Sequence, residues 1–263
     1  MNWAEIKGLD IYYDDKKIIS NLNIELRKGE NTVIIGSNGS GKSTILKTIA
    51  RLKYPRAKEN SFLKVLGDDN INIWKLRSKI GFLTADIHSR IKENVTAREV
   101  ILSSFQGTFG LVENNALTRD QVYLLNNIKD IFNPSKLSTK YSELSDGEQR
   151  RVLIARSVIS SPEILILDEP TAMLDVKSSF IILETLSNLA KKGITILYVT
   201  NSIDHIIKET HRVILIKEGK IVKDGSPLEV INSENISNLY GLKLSVMELD
   251  GYWRVFPVRN IKR

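Results

Sequence analysis

Val33-Ile34-Ile35-Gly36-Ser37-Asn38-Gly39-Ser40-Gly41-Lys42-Ser43-Thr44 runs from a short β-branched strand through a glycine-rich loop into the helical pattern Thr44-Ile45-Leu46-Lys47. The spacing is G-x-x-x-x-G-K-[ST]. Glycines let successive backbone N–H groups turn inward, and the helix that follows offers its positive end, so residues 36–44 form a cradle for phosphate. Lys42 is placed to reach the β- and γ-phosphates, and the Ser43 hydroxyl to ligate Mg2+. A glycine turn that merely opened a helix would need no Lys-Ser at those places.

A phosphate loop calls for a metal carboxylate and a group that handles the attacking water. Residues 163–169, Glu-Ile-Leu-Ile-Leu-Asp-Glu, are an apolar run ending in two acids, the form of a central strand buried on both faces. Asp168 is the candidate for holding Mg2+ through water, and Glu169 for general base. Before the phosphate loop, 3–14 and 18–27 alternate apolar and polar about the turn at 14–17 and predict antiparallel strands. Tyr13, at the end of the first, is placed to stack on an adenine ring, with Tyr12 as its substitute.

Beyond the loop the pattern predicts a helix over 42–52, a strand over 62–66, a short helix over 73–78, a strand over 79–83 and a loop over 84–90. From there to about residue 160 strand signals stop. The capping boxes Thr96-x-x-Glu99 and Thr118-x-x-Gln121 start helices expected to run to Phe105 and Ile131, the first ended by Gly107 and Gly110. An all-helical insertion in an α/β pattern suggests a separate lobe. Then come a helix over 176–191, a strand over 194–200, a helix over 203–209 and paired strands over 212–217 and 220–225. A short helix starts at Ser226-Pro227, and a hairpin turns on Asp250-Gly251.

Composition narrows the setting. The chain has 263 residues, 42% of them apolar, enough for a substantial core, and no cysteine, which excludes disulfides and thiolate metal sites. No apolar run approaches the ~20 residues that span a bilayer, and the first residues lack signal-peptide form, so a cytoplasmic protein is expected. The net charge of +7 is dispersed, with no basic run of five or more; solvated lysines explain it, and no nucleic-acid partner is expected.

These motifs together resemble the ATP-binding cassette (ABC) family of ATPases over nearly the whole chain. Leu144-Ser145-Asp146-Gly147-Glu148-Gln149 is similar to the family signature, LSGGQ in its commonest form, and Thr171-Ala172-Met173-Leu174-Asp175 to the D-loop. The resemblance implies an α/β fold: a RecA-like P-loop NTPase core with an antiparallel β-subdomain (1–85 and 161–225), a helical signature subdomain (86–160) and a small C-terminal extension (226–263). It implies ATP and Mg2+ as cofactors and a head-to-tail homodimer, in which Ser145 and Gly147 complete the nucleotide site of the second subunit across two buried ATP molecules. It further implies an energy-coupling subunit of a transporter, an importer since no membrane domain is fused, with membrane permease partners and a place at the inner face of the membrane. The segment 226–258 looks similar to the tail of importer ATPases for metal-chelate and cofactor uptake.

Four positions depart from the family pattern. Asp146 replaces a glycine and Glu148 a glutamine; an acid at 146 facing γ-phosphate weakens closure unless turned away or neutralised. Ala85 stands where the family has a glutamine that touches Mg2+ and relays closure. Asn201 stands where it has the switch histidine. His205, one helical turn on, is expected to be an exposed helix histidine. Slow hydrolysis follows, and two alternatives stay open: a stand-alone soluble ABC ATPase acting on a macromolecule, and a nucleotide-gated binding module with little hydrolysis.

Overall fold

The computed structural model describes residues 1–56, 58–108 and 118–258. Alternating apolar residues make β1 (Asn2–Tyr13) and β2 (Lys16–Arg27) a twisted antiparallel pair, with Ile6 opposite Ile24, turning on left-handed Asp14. β3 (Thr32–Ile35), buried at every position, feeds α1 (Lys42–Ile49). β4 (Phe62–Val65) returns antiparallel to β1, giving the small sheet β2-β1-β4. α2 (Ile73–Lys79), capped by Asn72, leads to β5 (Ile80–Leu83) and a 3-10 turn over Ala85–Arg90.

The helical stretch follows as α3 (Ala97–Leu102), α4 (Arg119–Asn127) and α5 (Asp146–Val158). Strands resume with β6 (Ile164–Asp168), α6 (Val176–Lys191), β7 (Thr195–Thr200), β8 (Arg212–Lys217) and β9 (Lys220–Gly225). The chain ends in α7 (Pro227–Val230), α8 (Ser233–Tyr240) and the hairpin β10 (Leu244–Leu249) with β11 (Tyr252–Pro257).

The large sheet has the order β5-β6-β7-β3-β8-β9, parallel except for β9. Side-chain alternation divides its central strands between two cores. Ile34, Ile164, Ile166, Leu197, Val199, Ile214 and Ile216 face α1 and the small sheet. Val33, Ile35, Leu165, Leu167, Ile196, Tyr198, Val213 and Leu215 share the other core with α3, α5, α6 and the C-terminal element. Burial on both faces is what makes these strands continuous apolar runs. The helical lobe is thus continuous with the packing under the sheet.

Several local expectations give way to tertiary contacts. The first helix stops at Ile49 because Arg51 is left-handed and its guanidinium caps the carbonyls of Leu63 and Asp69. α3 stops at Leu102 and tightens into a 3-10 turn over Ser103–Gln106, ended by left-handed Gly107; Gly110 lies outside the described residues. The helix expected over 203–209 is only a 3-10 turn, Ile203–His205, because the Ile207 N–H donates to the Tyr198 hydroxyl (3.0 Å) and both Ile206 and Ile207 are buried. α8, not anticipated, is capped by Asn232 and buries Ile236 and Leu239. No described helix is long and apolar enough to cross a membrane.

Candidate functional site

Parallel pairing sets Ile35 beside Thr200 and Asp168 beside Val199. The loops leaving β3, β7 and β6 therefore emerge together at the carboxyl edge of the sheet, where open α/β sheets bind ligands. The loop after β3 follows a path that needs glycine. A Cβ on Gly36 would lie 2.3 Å from the Ile216 carbonyl oxygen, and one on Gly41, where φ is +101°, would lie 2.3 Å from Ile19 Cδ1. Gly41 is the left-handed N-cap of α1 without a side-chain cap, and no acid stands in the first turn. The leading N–H groups of α1 are thus left for another acceptor. Ser40 Oγ is buried in the same loop without a hydrogen-bond partner.

Lys42 is buried, its ammonium donating to the carbonyls of Gly36 (2.9 Å) and Ser37 (3.1 Å) and standing 3.7 Å from Glu169 Oε1. Burial lowers its pKa, opposed by the charges of Glu169 and Asp168. Ser43 Oγ donates to Asp168 Oδ1 at 2.7 Å. A hydroxyl beside a carboxylate is a hard oxygen pair, and the described residues hold no cluster of three or more His, Asp or Glu that would form an all-protein metal cage. That donor set fits Mg2+, which takes few protein oxygens and shares the rest of its shell with phosphate and water.

Glu169 sits in the left-handed region, φ 47°, with its N–H on the Val199 carbonyl (3.1 Å). Such a conformation in a non-glycine residue persists only where its surroundings over-determine it, and it turns the carboxylate off the strand axis toward Lys42. Asn201, first residue after β7, donates from Nδ2 to Asn38 Oδ1 of the phosphate loop (3.3 Å). Tyr13 is exposed at the rim, with the Lys53 ammonium 4.3 Å from its ring centroid. Tyr13, Asn38, Gly39, Gly41, Lys42, Ser43, Thr44, Asp168 and Glu169 line one crevice of ≈ 450 Å³.

Ser145 and Gly147 do not line that crevice; they stand at the N-terminus of α5. Ser145 is its N-cap, and Glu148 closes a capping box, its carboxylate accepting from the Ser145 N–H and Oγ (both 3.1 Å) while paired with Lys136. Gly147 is buried against α6, where a Cβ would meet Ser178 Oγ at 2.5 Å. Asp146 is exposed and lines a cleft with Arg150, whose pKa is lowered by burial.

His205 departs from the expectation of an exposed helix position: it is half-buried, and Nδ1 lies 2.9 Å from Thr171 Oγ1, just past Glu169. Burial lowers its pKa. The replacement of a glutamine by Glu148 was read from the sequence but its capping role was not, although Ser145-x-x-Glu148 obeys the capping rule used for Thr96 and Thr118.

The family model described as ABC transporter matches residues 19–172. Energy-coupling factor transporter ATP-binding protein EcfA of Pediococcus pentosaceus is 32% identical over 249 residues, 92% of this chain and 85% of that protein. Glutamine transport ATP-binding protein GlnQ of Geobacillus stearothermophilus is 31% identical over 223 residues, 84% and 90% of the two chains. Among solved structures, cbiO1 from Clostridium perfringens, part of the ABC transporter complex cbiONQ, matches with TM-score 0.73 at 26% identity over 90% of this chain and 93% of that one. A dimeric post-hydrolysis state of the ATP-binding cassette MJ0796, bound to ADP and Pi, matches with TM-score 0.69 at 25% identity over 85% and 98%. With its phosphate loop, paired carboxylates and signature on a P-loop NTPase fold, the chain belongs to the ABC transporter family of ATP-binding proteins.

Proposed function

We propose that the protein binds and slowly hydrolyses MgATP as the energy-coupling subunit of an ABC importer, working as a homodimer that sandwiches two ATP molecules against membrane permease subunits. The observation that carries this reading is the 2.7 Å contact of Ser43 with Asp168, with the Lys42 ammonium folded onto the same loop. In this reading Lys42 exchanges the carbonyls of Gly36 and Ser37 for phosphate oxygens, and the loop residues 36–44 cradle the phosphates. Ser43 and Asp168 hold Mg2+, which when bound neutralises phosphate charge. Tyr13 stacks on adenine, Glu169 takes the proton of the attacking water, and Asn201 donates Nδ2–H to the γ-phosphate.

Ser145 and Gly147 serve the nucleotide of the second subunit, a role supported by their absence from the lining of their own chain's crevice. The transport role is supported by the relatives above, among them transport ATP-binding proteins and a component of a transporter complex. Slow turnover is supported by Asn201, which carries no exchangeable positive charge, and by the Glu148 carboxylate on the Ser145 hydroxyl. The test is nucleotide titration of Lys42→Ala: losing a buried lysine–phosphate pair weakens ATP binding by roughly 2–5 kcal/mol. Affinity equal to that of the unmodified protein would refute the assignment.

A further inference from the structure

The segment that follows β7 is held from two sides by groups outside the phosphate loop and the signature. From within, His205 Nδ1 meets the Thr171 hydroxyl at 2.9 Å. Thr171 is buried, and its turn is closed by the Ala172 N–H on the Glu169 carbonyl (3.1 Å). From without, the Tyr240 hydroxyl at the end of α8 donates to the Asn201 carbonyl at 2.7 Å. Burial pushes that phenol up to about 12, so it stays a donor throughout the neutral range. Arg254 of β11 stands 3.7 Å from Asp204. Ile203, Ile206, Ile236, Leu239 and Trp253 join one core, so the C-terminal element and this segment pack as a unit.

Glu169 and Asn201 need fixed backbones for different reasons. Glu169 is left-handed and depends on its neighbours to stay so. Asn201 follows the last residue of a strand, where the sheet no longer holds the chain. We infer that His205 and Tyr240 are positioning residues for hydrolysis: His205 fixes the turn behind Glu169, and Tyr240 fixes the backbone of Asn201, which makes the C-terminal element a working part of the ATPase site. This rests on the roles given above to Glu169 and Asn201.

The experiment compares the full-length protein with Tyr240→Phe, which removes one hydroxyl and keeps the ring, with His205→Ala, and with His205→Asn, whose amide puts a polar atom near the place of Nδ1. Steady-state kcat and KM for ATP are measured on each, together with amide hydrogen exchange over residues 199–206. Displaced reacting groups lower rate more than binding, so kcat is expected to fall about tenfold in Tyr240→Phe and His205→Ala with KM within about twofold, and His205→Asn to recover most of the loss. Variants that are folded and unchanged in kcat overturn the inference while leaving the proposed activity standing. If the unmodified protein binds ATP and does not turn it over, the proposed activity falls. The exchange arm then decides: faster exchange over 199–206 in Tyr240→Phe sustains the hold on Asn201, and unchanged exchange overturns it.

Discussion

Asn201 reaches the phosphate loop through one hydrogen bond, Nδ2 to Asn38 Oδ1. An amide donates as an imidazole does, but it carries neither a titrating proton nor a positive charge. Nucleotide binding should therefore tolerate this residue better than catalysis does. Restoring a histidine with Asn201→His is expected to raise turnover about tenfold or more, ~1.4 kcal/mol of barrier, with ATP affinity nearly unchanged. Turnover and affinity measured side by side check this; an unchanged or lower rate would mean that another group already fills the role. The residues Gly36, Gly41, Lys42, Ser43, Asp168 and Glu169 were legible in the sequence because a phosphate loop and a strand-end acid pair are written in consecutive residues. His205 was not, because its partner Thr171 lies on another strand's loop and only the fold brings the two to 2.9 Å.

The N-terminus of α5 carries its own anion. Pairing with Lys136 and the hydrogen bonds from Ser145 hold the Glu148 carboxyl below the usual carboxylate range, against the opposing effect of burial. Because the folded value lies below the unfolded one, the stabilisation is complete above the ordinary glutamate pKa of about 4.3. It is lost as pH falls through the lower, folded value. Glu148→Gln should therefore flatten acid denaturation below about pH 4 relative to the unmodified protein; parallel curves would contradict the assignment. The same substitution frees the Ser145 hydroxyl from a carboxylate and is expected to strengthen ATP-driven association. Caps of this kind are legible because they join residues three apart. The end of α3 and the shortened turn at 203–205 are not, since the buried Ser103 hydroxyl is met there by Arg156 of α5 and the Ile207 N–H is taken by the Tyr198 hydroxyl of β7, contacts that only the fold makes.

As a whole, the molecule presents the candidate phosphate crevice on one part of its surface, with Ser145 and Gly147 of the signature outside its lining. The proposed head-to-tail pairing of two copies answers that geometry. Glu169→Gln keeps shape and hydrogen bonding but cannot accept the proton, so turnover should drop by ~10²–10⁴ and the ATP-bound dimer accumulate. Scattering with ATP and Mg2+ that shows only monomer would contradict the proposed dimer. The strand order was not legible, because no local pattern states that β3 lies between β7 and β8. That central position has a thermodynamic consequence. Val33 and Ile35 belong to one core and Ile34 to the other, so the strand that carries the phosphate loop cannot come loose without both cores melting. Ligand linkage should then act on the main calorimetric transition rather than on a minor early one: nucleotide at one hundred times its dissociation constant adds about 2.7 kcal/mol to the unfolding free energy of the entire cassette.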